Sequence, residues 1–182
     1  MDLYTIGHSN HPIDRFIQYL QTYSIQLLVD VRSTPFSRFN PQFNQGALQK
    51  SLSEHTIEYH YLGNALGGRP KDPSVYHHHA IPTASKDYFK EIDYTAVMQR
   101  PWFIQGIQQL LELAGSKRTT ILCSEEDPAR CHRHHLVARY ILSTYPEVNV
   151  LHIRKDGSLQ EARSIISPED DAGADQLSFL KP

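Results

Sequence analysis

The sequence has few cysteines and no long apolar run, and each shortage excludes a class of protein. Only Cys123 and Cys131 are cysteine among 182 residues, which is too few for a disulfide framework and is typical of a reduced, cytoplasmic setting. A run of about 18 apolar residues is absent, and the first residues lack a basic head followed by an apolar stretch. We therefore expect neither a membrane segment nor a signal peptide.

The chain also has little excess of charge of either sign. Eighteen basic and twenty acidic residues give a formal net charge of -2, which excludes a polybasic protein that binds polyanions through bulk charge. Residues 161–182 carry five acidic and two basic side chains. We interpret residues 1–160 as one domain and residues 161–182 as an acidic, partly flexible tail.

Apolar runs alternate with helical patterns along the first 160 residues. Residues 26–31 form a continuous apolar run that is typical of a strand buried on both faces of a parallel sheet. Further strands are predicted at 3–6, 57–62, 119–123 and 148–153, with helices at 12–20, 45–55, 86–98, 101–114 and 131–143. Residues 66–82 are rich in glycine and proline and are predicted to form a surface loop. These patterns indicate one three-layer α/β domain, a mostly parallel, Rossmann-like sheet flanked by helices.

Histidine is abundant, with eleven in the chain, and several lie beside the two cysteines. The apolar stripe of the predicted helix 131–143 turns His132 inward and His134 toward solvent. A helix N-terminus lowers the pKa of a nearby thiol, so Cys123 or Cys131 is a candidate nucleophile with His132 as its base. The alternative interpretation is that both cysteines are small core residues.

Zinc is a second use for these side chains, because Cys123, Cys131 and His132 are ligands that this ion accepts. Seven residues separate the two thiols, however, and this spacing matches no standard structural zinc site. No paired C-x-x-C motif is present either. We predict no cofactor and keep a zinc-stabilised domain as the third hypothesis. The tract of residues 77–79, three histidines, is interpreted as a solvated loop.

Two further features suggest polar chemistry. Glu125 follows a predicted strand, where it could act as a general acid or base or bind ribose hydroxyls, or could simply complement a helix dipole. The segment 32–43 interleaves arginines with phenylalanines, a composition that stacks bases and clamps phosphates. The alternative is that its phenylalanines, Phe36, Phe39 and Phe43, dock the segment onto the domain.

Several motifs follow one another in order along the chain. They are TIGHS at 5–9, VDVR at 29–32, LGG at 66–68, C-x-E-x-x-P-x-x-C-H-R at 123–133 and HI at 152–153. This succession resembles the family called domain of unknown function 488 over nearly the whole chain. The resemblance implies a single α/β domain of bacterial or archaeal type with the motif residues at a shared site, and it implies no particular activity.

The leading hypothesis is an enzyme that acts on a small anionic substrate, a nucleotide or nucleic-acid component, by hydrolysis or group transfer. Cys123, Glu125 and His132 are its predicted catalytic residues. The predicted substrate-binding residues lie after the strands and on the loops beside them: His8, Ser9, Asp30, Arg32, Ser37, Arg38, Gly67, Gly68 and Arg133. The second hypothesis is a non-catalytic module that binds nucleic acid or a nucleotide through the arginines and phenylalanines of the segment 32–43, which are Arg32, Phe36, Arg38, Phe39 and Phe43.

Overall fold

The computed structural model describes residues 1–82 and 88–165, which are built around a six-stranded sheet. The strands are β1 (Asp2–Gly7), β2 (Leu27–Asp30), β3 (Glu58–Tyr61), β4 (Thr119–Cys123), β5 (Asn149–Ile153) and β6 (Leu159–Glu161). Their order across the sheet is β3-β2-β4-β1-β5-β6, and every neighbouring pair is parallel except β5 and β6.

Helices cover both faces of the sheet. They are α1 (Ile13–Thr22), α2 (Gln45–Ser53), α3 (Gly63–Leu66), α4 (Tyr88–Glu91), α5 (Tyr94–Met98), α6 (Pro101–Ser116) and α7 (Arg139–Thr144). A π-helical segment, Arg133–Ala138, leads directly into α7. The predicted three-layer α/β fold with a mostly parallel sheet is confirmed.

The neighbouring interior strands β2 and β4 are buried along their whole length, as expected for strands of a parallel sheet that is covered on both faces. On one face, α1 and α2 contribute Phe16 and Leu48 to an apolar cluster that includes Leu28 of β2. On the other face, α5, α6 and α7 pack against Val29 and Ile121. Successive residues of β2 therefore face opposite layers, since side chains alternate along a strand.

The connections that leave the sheet at β1 and β4 run to opposite faces. β1 continues into α1, whereas its neighbour β4 continues into the π-helical segment and α7 on the other face. Adjacent strands whose connections diverge in this way leave a crevice beyond their carboxyl ends, where α/β proteins bind ligands. The fold thus places the loops after Gly7 and Cys123 side by side.

Two segments differ from the sequence-based predictions. The helix predicted at 86–98 is interrupted between α4 and α5, because Ile92 pairs with Tyr76 and the Asp93 carboxylate caps the start of α5 by accepting the Ala96 N–H at 3.0 Å. Residues 83–87 lie outside the described residues. The predicted surface loop 66–82 is anchored in the core, since Tyr76 is buried and donates to the Pro70 carbonyl at 2.8 Å.

The carboxyl-terminal part of the described chain completes the sheet. β6 was not predicted, and it pairs with β5 after the turn at Asp156 and Gly157. Ala162 is buried beyond it, so residues 161–165 pack with the domain, while the rest of the predicted tail lies outside the described residues. Among the helices of 1–82 and 88–165, none has the length and apolar character needed to cross a bilayer.

Candidate functional site

The backbone beyond β1 and β4 continues their pairing and brings two polar loops together. The N–H groups of His8 and Ser9 donate to the carbonyls of Cys123 and Ser124, both at 2.9 Å. Gly7 makes this approach possible, because a Cβ there would lie 1.8 Å from the carbonyl oxygen of Glu125. Only glycine fits between the two loops at that point.

Two thiols and one imidazole meet at the end of β4. The Nδ1 atom of His132 lies 3.5 Å from the Cys123 sulfur and 4.0 Å from the Cys131 sulfur, and all three atoms lie within 4.8 Å of one another. Both cysteines are buried and free. We call these three side chains the thiol–imidazole cluster. Their donor set is one that binds thiophilic metal ions.

The orientation of the His132 ring is set from its opposite side. Its Nε2 atom lies 3.1 Å from the carbonyl oxygen of Val31. A carbonyl oxygen only accepts hydrogen bonds, so Nε2 carries the proton, and in the neutral imidazole Nδ1 is left with a lone pair directed at the two sulfurs. Gly68 packs against the ring, since a Cβ on Gly68 would lie 2.6 Å from Nδ1.

The two thiols differ in acidity. The pKa of Cys123 is raised well above its ordinary value by the hydrogen bond with Cys131 and by burial. Burial also acts to raise the pKa of Cys131, but the hydrogen bond from Cys123, the protonated form of the His132 ring and the positive charge of Arg133 bring it well below its ordinary value. Within the pair, Cys131 is therefore the group that carries negative charge and Cys123 the group that keeps its proton.

Arg133 is completely buried directly behind this cluster. Its guanidinium donates to the carbonyl oxygens of Glu125 and Glu126, and its Nε donates to the Thr5 hydroxyl at 3.2 Å. Arg133 therefore holds the loop after β4 in place.

A buried ion pair lies at the end of β2. The Arg32 guanidinium makes two hydrogen bonds to the Asp30 carboxylate, at 2.9 and 2.5 Å, and the Tyr59 hydroxyl donates to the same carboxylate at 2.9 Å. Arg32 and Asp30 are both almost fully buried. Nη1 of Arg32 is buried and has no hydrogen-bond partner among the described residues.

His8 is buried near this pair and is stacked on Phe43, with ring centroids 4.5 Å apart. Its Nδ1 donates to the Ser9 carbonyl at 2.9 Å, so its Nε2 bears a lone pair, which also lacks a partner in the described part of the chain. Burial is the main cause that lowers the pKa of His8 from 6.5 to about 4, and the positive charge of Arg32 adds to the effect. His8 is therefore neutral at pH 7.

A comparison with known protein families shows which family the chain belongs to. Residues 12–141 match the model of the family described as domain of unknown function DUF488. The chain belongs to the DUF488 family. No curated protein and no solved structure matches it.

The remaining predicted site residues of this DUF488 chain lie in different surroundings. Glu125 is exposed, and its side chain makes no hydrogen bond or ion pair with another described residue, although its backbone oxygen is held by Arg133.

The Ser37 hydroxyl accepts from the Asn40 N–H at 3.1 Å and orders the segment 32–43. Arg38 is exposed over the Phe39 ring. Gly67 is buried against Ser33, next to Gly68.

His134 was predicted to face solvent, and that prediction is wrong. It is buried, and its Nδ1 lies 3.1 Å from Nε2 of His152, whose Nδ1 is 2.7 Å from the Thr5 hydroxyl. The cause is the π-helical segment, whose wider turn rotates its side chains away from α-helical register. Burial, with the charge of Arg133 next, lowers the pKa of His152 from 6.5 to about 2, so the His152 ring is neutral.

Tyr94 is a neighbour of the thiol–imidazole cluster that sequence reasoning missed. It begins α5, and its pKa is raised by burial and by the negative charge that the two cysteines can carry. The phenol therefore lies close enough to the thiol–imidazole cluster to sense its charge. Nothing in the local sequence indicates this, because α5 reaches the cluster only through tertiary packing.

Proposed function

We propose that this DUF488 domain is an enzyme that acts on a small anionic substrate, a nucleotide or nucleic-acid component, by hydrolysis or group transfer at the thiol–imidazole cluster. The observation that carries the proposal is the meeting of Cys123, Cys131 and His132 within 4.8 Å at the carboxyl edge of a parallel sheet. Burying three reactive groups together costs free energy, and such clusters are concentrated at functional sites.

The preference for an anion rests on the charges around the cluster. Arg32 follows β2 and offers a buried N–H that no described residue accepts, while Asp30 fixes the rest of its guanidinium. Arg38 adds an exposed positive charge on the segment that continues from it. An anionic group is stabilised by a guanidinium that is already oriented, because little side-chain entropy is lost when it binds.

Within this proposal the roles differ from residue to residue. In the cluster without a metal ion, His132, with its lone pair held toward the sulfurs, accepts or returns a proton at Nδ1. Glu125, exposed at the mouth of the loop after β4, is assigned to proton exchange with the substrate or to its hydroxyl groups. Arg133 is a positioning residue, since its hydrogen bonds hold Thr5 and the loop itself.

A substrate screen tests the proposal. Purified protein is incubated with nucleotides, nucleosides, sugar phosphates and short oligonucleotides, and products are measured by mass spectrometry. We expect turnover of one class, lost in Cys123→Ala, Cys131→Ala and His132→Asn and reduced in Glu125→Gln. His55→Asn, an exposed histidine at the end of α2, is the matched control and retains activity. Full turnover in the three cluster variants would contradict the assignment.

A non-catalytic nucleic-acid module is the second candidate, and one observation favours it. Phe36 and Phe39 are 63% and 86% exposed, which is unusual for phenylalanine and suits base stacking. Phe43, which was placed in the same group by its sequence, is fully buried between His8 and Phe16 and is not available. This candidate predicts salt-dependent binding of single strands that Phe39→Ala weakens and Cys123→Ala leaves intact.

A further inference from the structure

The thiol–imidazole cluster has the dimensions of a metal site. Tetrahedral Zn²⁺ holds sulfur at about 2.3 Å and imidazole nitrogen at about 2.0 Å, which places a sulfur and a nitrogen ligand roughly 3.5 Å apart. The distances from His132 Nδ1 to the sulfurs of Cys123 and Cys131 are 3.5 and 4.0 Å. The first distance already fits, and the second requires a movement of roughly half an ångström.

A second observation is independent of these distances. Metal-binding histidines usually donate their other ring N–H to a carbonyl or carboxylate, which fixes the tautomer and the ring orientation. His132 does this through Nε2 and the Val31 carbonyl, at 3.1 Å. Gly68 supports the same ring from the loop after α3. The ring is thus held with its lone pair toward both sulfurs before any ion binds.

The long spacing between the cysteines is explained by the fold. Cys123 ends β4, and Cys131 immediately precedes the helical turn that carries His132, so the loop between them returns to its starting point. Arg133 holds this loop closed through the Glu125 and Glu126 carbonyls. The sulfurs therefore meet without the short C-x-x-C turn that sequence reasoning looked for.

We propose that Cys123, Cys131 and His132 together bind one thiophilic divalent cation of the Zn²⁺ class. Among the described residues, no other histidine, cysteine, aspartate or glutamate joins this group. Three protein ligands leave the fourth tetrahedral position open to water or substrate, as in catalytic rather than structural zinc sites. Both sulfurs bind as thiolates, so Cys123 gives up its proton when the ion binds.

Cobalt titration tests this inference directly. The reduced, chelator-treated protein is titrated with Co²⁺, and we expect one equivalent to give the intense visible bands of a tetrahedral site with thiolate charge transfer, which Zn²⁺ then abolishes. Cys123→Ser, Cys131→Ser and His132→Asn should each weaken binding by more than about 100-fold, because even loss of an outer-shell partner costs 10- to 100-fold.

The exposed histidines of the loop 77–79 provide the matched control. Replacing all three with alanine should leave the cobalt spectrum and the affinity unchanged. A spectrum that disappears in this control, or persists in both cysteine variants, would overturn the inference. So would absence of a one-equivalent complex in the wild-type protein.

A measurement on the wild-type chain covers the case in which a variant does not fold. Zn²⁺ should protect both Cys123 and Cys131 from alkylation, read out by mass spectrometry, and equal labelling with and without Zn²⁺ would overturn the inference. The two proposals also fail separately. Metal binding without turnover of any substrate contradicts the proposed function alone, and turnover by chelator-treated protein that binds no metal contradicts the metal site alone.

Discussion

The hydrogen bond from His132 Nε2 to the carbonyl of Val31, the residue after β2, is 3.1 Å long and links the end of β2 to the thiol–imidazole cluster at the end of β4. It determines which ring nitrogen carries the proton and therefore which one faces the two cysteines. The two neighbouring strands therefore both contribute to one site. The carbonyl after β2 orients the imidazole, and β4 supplies the first thiol. Variants that disturb this orientation should change binding more than they change the fold.

Gly68→Ala is the first such variant. The added Cβ would lie 2.6 Å from His132 Nδ1, so the ring or the loop must move away. We expect Co²⁺ affinity to fall about 10- to 100-fold, the range for loss of an orienting partner. Gly46→Ala is the matched control, because a Cβ at Gly46 meets no atom within 4 Å. Unchanged affinity in Gly68→Ala would show that the ring is not held as described.

The buried ion pair of Asp30 and Arg32 predicts a large effect on stability. Asp30→Asn leaves the Arg32 guanidinium buried without its counter-charge, which should lower the free energy of unfolding by about 3–5 kcal/mol in denaturant titrations. The exposed pair of Lys117 and Glu58 is the comparison, and Lys117→Gln should cost about 1 kcal/mol or less. Equal losses in the two variants would contradict the importance of burial at Asp30.

Arg133→Lys tests the role of Arg133 in holding the loop after β4. Arg133 uses three different nitrogens for its bonds to Thr5 and the two carbonyls, and the single ammonium nitrogen of lysine does not reach all three positions, so buried acceptors lose their partners at about 1–3 kcal/mol each. We expect a clear fall in the melting temperature together with weaker Co²⁺ binding. Arg130→Lys, an exposed position three residues earlier, should change neither quantity. A stable Arg133→Lys protein with wild-type metal affinity would contradict this role.

Buried histidine makes stability depend on pH. The pKa of His8 is about 4 in the folded chain and about 6.5 when unfolded, so the unfolded state binds more protons between these values. The free energy of unfolding should therefore fall as pH decreases from about 6.5 to about 4, by on the order of 3 kcal/mol for this group. His8→Asn should flatten that slope, whereas His55→Asn should not. An unchanged slope in His8→Asn would show that His8 accepts protons freely in the folded state.

The fold was readable from the sequence where burial produces a simple pattern. The continuous apolar run of β2 and the apolar stripe of α6 each lie within a single element. Both elements were therefore predicted. β6 was not predicted because its three residues, two of them exposed, lie at the sheet edge and have no apolar periodicity. The interruption of the predicted helix 86–98 at Ile92 was not predicted, because it depends on pairing with Tyr76, which is distant in sequence.

The site was readable only in part, for a related reason. The residues after each strand were expected at one edge because parallel strands end together, and the structure places His8, Arg32 and Cys123 there. The π-helical turn that buries His134 and the approach of Tyr94 arise from packing between elements. Local spacing does not encode such packing, which is also why the separation between Cys123 and Cys131 argued against a metal site.

X-ray absorption spectroscopy of the protein loaded with one equivalent of Zn²⁺ tests the central claim, that Cys123, Cys131 and His132 form a single centre. We predict two sulfur ligands at about 2.3 Å, one imidazole nitrogen at about 2.0 Å, and one further light atom. A shell of nitrogen and oxygen without sulfur, or one of four sulfurs, would contradict it.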